Sequence, residues 1–301
     1  MICGIVDLGS NTIRLSIYKY EDGVMKLLLS KKSVAGLLGY VDRGALSPKG
    51  IAKACSVLAN FKDILSNFGI DNIHVFATAS LRNISNTDEV LRAIRDASGF
   101  AVEILSGEEE ATLDFYGAVH ATDVTDGLLV DIGGGSTELV SFEHRVVSGA
   151  VSMPVGSLNL SLRHVTSIIP DEDAFKKIRQ DVQDELKKLK STLGSQKTIC
   201  GVGGTVRAAR KVYNDMYGKS GDNMEMETDK FVKILSAYKK DSRSVMQRVM
   251  QLAPDRIHTV ITGMLVLATV AKEFKAEKIV VSTYGVREGY FYHKILGGET
   301  A

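Results

Sequence analysis

The 301 residues are 45% apolar and 24% charged, the balance of an ordinary globular protein, and they suffice for two domains with cores of their own. Lys plus Arg (37) nearly cancels Asp plus Glu (36), which argues against a global field that attracts nucleic acid; any anion must be held by local placement of charge. Cys3, Cys55 and Cys200 are scattered and lack metal-ligand spacing, so no disulfide framework is expected and a reducing cytoplasm is the expected setting.

In chain order, the apolar run Ile5-Val6 leads into Asp7-Leu-Gly-Ser-Asn-Thr12, and a second strand returns through Ile13, Leu15 and Ile17. A third strand is expected over 25–34 and a loop over 36–46. Ser47-Pro48 then opens a helix, with Ser as N-cap and Pro at the first helical position, and Ile51, Ala54, Leu58, Phe61 and Leu65 follow at helical spacing. A strand over 73–77 ends in Thr78-Ala-Ser-Leu-Arg82. Ligands of α/β sheets collect at such carboxyl ends, so Arg82 is either an anion contact or a solvated loop arginine. After a helix over 87–98 and a strand over 102–105 comes Ser106-Gly-Glu-Glu-Glu110. Ser106 and Glu109 have the spacing of a capping box, which leaves Glu110 unexplained. It is either a solvated first-turn glutamate or a general base whose ionised form the helix dipole favours.

The second half opens at a turn-rich linker over 123–127, an expected hinge. Leu128-Leu129-Val130 then leads into Asp131-Ile-Gly-Gly-Gly-Ser-Thr-Glu138. Three glycines between strands make either a bare tight turn or a nest in which Gly133, Gly134 and Gly135 offer N–H groups to phosphate. Ser136 and Thr137 would add hydroxyls. Asp131 and Glu138 bracket the turn with hard oxygen ligands that suit Mg²⁺ beside phosphate. A strand over 146–153 and a helix from Ser157 follow. A long amphipathic helix over 171–192 carries a lysine face that reads as solvated, without the interleaved aromatics of a nucleic-acid surface. Thr198–Val202 is a strand, and Gly203-Gly204-Thr205 either offers amides to phosphate or permits close helix packing. Residues 214–228 lack a period and are expected to be a flexible loop. The apolar stretch 264–271 is too short for a bilayer and reads as buried helix. The last strand, 278–282, precedes Arg287-Glu-Gly289 and a final helix.

The Asp7 and Asp131 segments share one plan, strand, Asp, apolar residue, Gly, small polar residues and returning strand. Two related halves are therefore expected, divided as 1–123 and 124–301, with the final helix, 287–301, packing back on the first.

Together with Thr78-Ala-Ser-Leu-Arg82, Ser106-Gly-Glu-Glu-Glu-Ala111, Gly203-Gly-Thr-Val-Arg207 and Arg287-Glu-Gly289, these motifs resemble the exopolyphosphatase and guanosine pentaphosphate phosphohydrolase family, in its short form without a C-terminal helical domain. The resemblance covers nearly the whole chain. It implies an α/β fold of two ribonuclease-H-like domains, of the actin, sugar kinase and heat-shock chaperone superfamily, with an interdomain phosphate cleft. It further implies Mg²⁺-dependent release of terminal phosphate from polyphosphate or guanosine pentaphosphate. By motif position Glu110 is the base, and Asp131 and Glu138 hold the metal. Ser10, Asn11, Gly133, Gly134, Gly135, Ser136 and Thr137 form phosphate loops, with Arg14 and Arg82 as anion contacts. No nucleic-acid or membrane partner is implied, and a homodimer is left open. Two departures bear on substrate preference: Gly36 stands where many members carry an arginine, and Ser282-Thr-Tyr-Gly285 replaces a glycine-rich lead. A non-catalytic alarmone sensor and an ATP-dependent small-molecule kinase are the competing readings.

Overall fold

Strand β1 (Ile2–Leu8) is buried on both faces from Cys3 to Val6, which is why it reads as an unbroken apolar run. The sheet of the N-terminal unit grows from it in the computed structural model, which describes residues 1–194 and 196–297. On one side β1 pairs antiparallel with β2 (Thr12–Glu21), which pairs antiparallel with β3 (Val24–Val34). On the other it runs parallel to β4 (Ile73–Ala77), followed by β5 (Glu103–Ile104). The order is β3-β2-β1-β4-β5. Helix α1 (Pro48–Asn67) starts where Ser47 accepts a hydrogen bond from Gly50 N–H, and it buries Ala54, Leu58, Phe61 and Leu65. Helix α2 (Thr87–Ser98) adds Val90 and Ile94 to the same core. The expected loop over 36–46 contains a 3-10 turn, Leu37–Tyr40, and a two-strand ladder pairing Val41 with Leu46.

The second unit begins with α3 (Gly107–Val119). Its sheet comprises β6 (Gly127–Ile132), β7 (Thr137–Glu143), β8 (Val146–Met153), β9 (Thr198–Val202), β10 (Glu225–Glu227) and β11 (Lys278–Val281). The order is β8-β7-β6-β9-β11-β10, so the first five strands repeat the arrangement of the first unit and β10 is added antiparallel at the edge. The repeated strand order is that of the doubled ribonuclease-H-like α/β fold expected from the sequence. Helices α4 (Ser157–His164), α5 (Glu172–Leu193), α6 (Gly203–Met216), α7 (Thr228–Lys240), α8 (Ser242–Leu252) and α9 (Val260–Glu273) complete the layers around that sheet. All of α9 from Val260 to Ala271 is buried, so its apolar run is core. No helix among the described residues is long and apolar enough to cross a membrane.

The units part between Ser106 and Gly107, where the sequence suggests 123/124. The cause is α3, which buries Ala111, Phe115 and Ala118 against Leu129, Val140, Phe142 and Val202 of the second sheet. The final helical segment, α10 (Val286–Gly289) continuing as a π-helix over Tyr290–Ile295, packs on α3 and so belongs to the second unit. Tyr116 stacks on His293 and His120 on Tyr292 along this contact. Residues 298–301 of the expected final helix lie outside the described residues. The segment expected to be a flexible loop over 214–228 is clasped instead. Arg210 donates to the carbonyls of Gly221 and Asn223, and Asn214 to those of Ser220 and Asn223.

Candidate active site

The second glycine hairpin joins β6 to β7, and its closing bond runs from Gly133 N–H to Ser136 O at 3.0 Å. Its carbonyls are occupied: Ser157 N–H donates to Gly133 O, and Leu158 and Asn159 N–H donate to Gly134 O, each at 2.9 Å. Asn159 Nδ2 donates to Gly135 O at 2.8 Å. Among the described residues no protein acceptor takes the N–H of Gly134, Gly135 or Ser136. Three consecutive amides facing away from their satisfied carbonyls are the kind of arrangement from which anion-binding nests are built. Ser136 is buried beside them, whereas the Thr137 hydroxyl donates to Val155 O at 2.6 Å and holds the next chain segment.

Negative charge collects at one edge of this hairpin. Asp131 and Glu138 are cross-strand partners, and Ser152, next in the row, donates to Glu138 Oε1 at 2.8 Å. Glu138 is buried, as is Glu110 on α3. The adjacent Glu109 is half exposed and pairs with Lys294 at 3.5 Å, so the two glutamates left open by the sequence separate into a surface residue and a buried one. One helical turn beyond Glu110 lies Asp114, fully buried, whose two oxygens find no donor in hydrogen-bonding geometry among the described residues. Burial, then the charges of Asp131, Glu110 and Glu138, push the Asp114 carboxyl well above the usual carboxylate range. As a carboxylic acid it can itself donate to Asp131. Burial also raises Asp131, but Arg207, Arg256 and Arg287 oppose it, so Asp131 is the member of the pair that ionises. Among the described residues no group of three or more His, Cys, Asp or Glu side chains is arranged to hold a metal ion.

The three arginines come from separate elements: Arg207 and Arg287 belong to the motifs at the last two junctions, and Arg256 ends a 3-10 turn, Pro254–Arg256, before α9. Gly203 has φ of +78°, and a Cβ there would run into the Asp131 carboxylate; at Gly204 it would run into the Arg256 guanidinium. The glycine pair therefore seats a carboxylate and a guanidinium, a close approach of side chains that neither sequence alternative named. Arg207, on α6, reaches Thr283 O at 3.4 Å, and burial, then the neighbouring Arg287, pulls its pKa below the ordinary value. In Arg287-Glu-Gly289, Glu288 Oε2 accepts Gly285 N–H at 2.9 Å, and bare Gly289 lets α10 lie directly on the Leu113 carbonyl of α3. That contact fixes Arg287 beside the helix that carries Glu110 and Asp114. Asp114, Arg256 and Asn159 were not legible as site residues. Asp114 sits four residues after Glu110, the one spacing that could have flagged it.

The first unit builds its own hairpin in the same way. Gly9 N–H donates to Thr12 O at 3.1 Å, Leu38 N–H takes Ser10 O, and Ala35 and Gly36 N–H take Asn11 O. No protein acceptor among the described residues takes the N–H of Ser10 or Asn11. Arg14 faces Asp7 across the strands and reaches Ser30 Oγ at 3.4 Å. Arg82 donates to Leu105 O at 3.0 Å within the same unit.

The family model of the Ppx/GppA phosphatase family matches residues 16–297. A Haemophilus influenzae protein named provisionally as an exopolyphosphatase is 26% identical over 293 residues, 95% of this chain and 89% of that one. Among solved structures, an Aquifex aeolicus member of the Ppx/GppA family superposes with a TM-score of 0.80 at 24% identity, covering 100% of this chain and 99% of that one. One described as an exopolyphosphatase, from Cytophaga hutchinsonii, superposes with a TM-score of 0.86 at 21% identity, covering 99% and 98%.

Proposed function

Because this chain belongs to the Ppx/GppA phosphatase family and is a phosphoric-anhydride hydrolase, we propose that its substrate is inorganic polyphosphate, from which it releases the terminal phosphate. The observation that carries the reading is the set of three uncommitted amides, on Gly134, Gly135 and Ser136, in the hairpin bracketed by Asp131 and Glu138, with Glu110 near enough for its charge to act with theirs on Asp114. Donors aimed at a phosphoryl group next to a buried carboxylate are what in-line attack by water requires. Glu110 accepts the proton of the attacking water from its place in the first turns of α3, where the helix dipole favours its ionised form. The amides hold the oxygens of the phosphoryl group, and the guanidinium groups of Arg207, Arg256 and Arg287 offset the charge that builds on it.

The residues fit a magnesium ion. Mg²⁺ keeps several waters and takes one or two carboxylates plus substrate phosphate, so the neighbouring pair Asp131 and Glu138 suffices without a third protein ligand. Bound there, it would neutralise charge on the phosphate oxygens.

The test is phosphate release from long polyphosphate, tripolyphosphate, guanosine pentaphosphate and ATP in parallel, with Mg²⁺ varied, for the wild type and Glu110→Gln. The expected result is Mg²⁺-dependent release from polyphosphate that falls by about 10²–10⁴-fold in the variant, the usual worth of a general base. Preference for the guanosine substrate would replace polyphosphate by an alarmone, and full turnover by Glu110→Gln would remove Glu110 from the mechanism.

A further inference from the structure

The amides of the second hairpin point as they do because their carbonyls are pinned. In a trans peptide the C=O and N–H lie on opposite edges of one plane, so holding the carbonyls of residues 133, 134 and 135 aims the N–H groups of 134, 135 and 136 the other way. Two of the three pins are backbone amides of the first turn of α4, which almost any residue supplies: Ser157 on Gly133 O, and Leu158 with Asn159 on Gly134 O. The Ser157 hydroxyl reinforces the first at 3.0 Å. The third pin is a side chain. Asn159 Nδ2 holds Gly135 O at 2.8 Å, and the amide is itself fixed, its Oδ1 accepting Gly156 N–H at 2.7 Å and its Nδ2 also reaching Pro154 O at 3.1 Å.

A peptide that follows glycine turns over at little steric cost, since glycine populates both signs of φ and a wide range of ψ. The Gly135–Ser136 peptide is thus the one plane in the nest whose orientation depends on a single side chain. We infer that Asn159 is a positioning residue, which sets the Ser136 N–H toward the phosphoryl oxygen and so completes the donor set. This rests on the hairpin being the phosphate site. If Asn159 served only to start α4, its loss would cost stability and leave the nest as it is.

The near-isosteric Asn159→Asp separates the two roles. It keeps an acceptor for Gly156 N–H but sets an acceptor against Gly135 O, which drives the peptide to turn over. Full-length ¹⁵N-labelled protein is titrated with inorganic phosphate while the amide resonances of Gly134, Gly135 and Ser136 are followed, and kcat and KM are measured separately. In the wild type all three amides should move on saturation. In Asn159→Asp the Ser136 response should vanish while Gly134 and Gly135 keep theirs, and kcat should fall by about 10²-fold, the loss of one oxyanion donor. Asn159→Ala should show the same pattern more weakly, since it removes the pin without adding repulsion. Unchanged responses of all three amides in both variants, or lost stability with kcat intact, would overturn the inference. Silence of all three amides in the wild type would overturn it differently, by removing the phosphate reading on which it rests.

Discussion

The two hairpins are built to one plan, and one cross-strand position sets their charge apart. In each, an aspartate is the last residue but one of the first strand, a glycine N–H closes the turn, and the turn carbonyls are occupied by a following segment, which leaves the amides outward. Opposite Asp7 stands Arg14, and opposite Asp131 stands Glu138. The first hairpin therefore places a cation across from its carboxylate, and the second sets a carboxylate there, with Glu110 and Asp114 nearby. Like charges so close are tolerated only where cations come to them, and Arg207, Arg256 and Arg287 do so at Asp131. Shared topology gave both units a turn with outward amides, and only the second sets two carboxylates across from each other.

Exchanging that difference is the strongest way to break the comparison. Glu138→Gln should lower kcat on the order of 10²-fold or more, since a metal's contribution to charge stabilisation is several kcal/mol. Arg14→Gln should raise KM severalfold and keep kcat. Steady-state kinetics of the two variants at saturating Mg²⁺ decide the matter. Equal losses of kcat would mean that the hairpins share one task.

A second comparison concerns how each aspartate is seated. Asp131 fills the space left by Gly203, whose φ of +78° a side chain would strain. Gly203→Ala should therefore destabilise the protein by about 1–3 kcal/mol from backbone strain alone and displace the Asp131 carboxylate as well. Urea unfolding with a parallel activity assay measures both. A variant of wild-type stability would show that the left-handed conformation there is not needed.

These cases also show what the sequence can disclose. Strands β6 and β9 are readable because an apolar run is bounded by glycine or polar residues, and α1 because Ser47-Pro48 announces it. The aspartate-glycine turns carry their chemistry in local order. Asp114 and Arg256 do not: each lies in its own element without a motif and gains meaning only when α3 and the segment before α9 fold against Asp131. The clasp by Arg210 and Asn214 depends on side-chain bonds to the backbone of the segment that follows, which leave no period to read. The units divide before α3 and not after it for a related reason. A turn-rich linker after α3 is visible in sequence, but the burial of Phe115 against Phe142 is not.

The smallest expected effect tests whether Asp114 is the neutral member of its pair. Its carboxyl is raised by burial and by neighbouring carboxylates, so in the folded protein it keeps a proton that the unfolded chain gives up near an ordinary aspartate pKa of about 3.9. Below that pH both states hold the proton and the stabilisation is fully present. Above it the folded state binds more protons than the unfolded one, and stability falls by at most about 1.4 kcal/mol per pH unit until the folded-state pKa is passed. An asparagine in its place cannot titrate, keeps the shape and retains a donor toward Asp131. Asp114→Asn should therefore match the wild type near pH 4 and gain on it as pH rises, by a few degrees in Tm at about pH 8. Thermal unfolding across that range measures the gap. Parallel curves would mean that Asp114 ionises in the folded protein as readily as in the unfolded chain, and the negative charge around Asp131 would then include Asp114 itself.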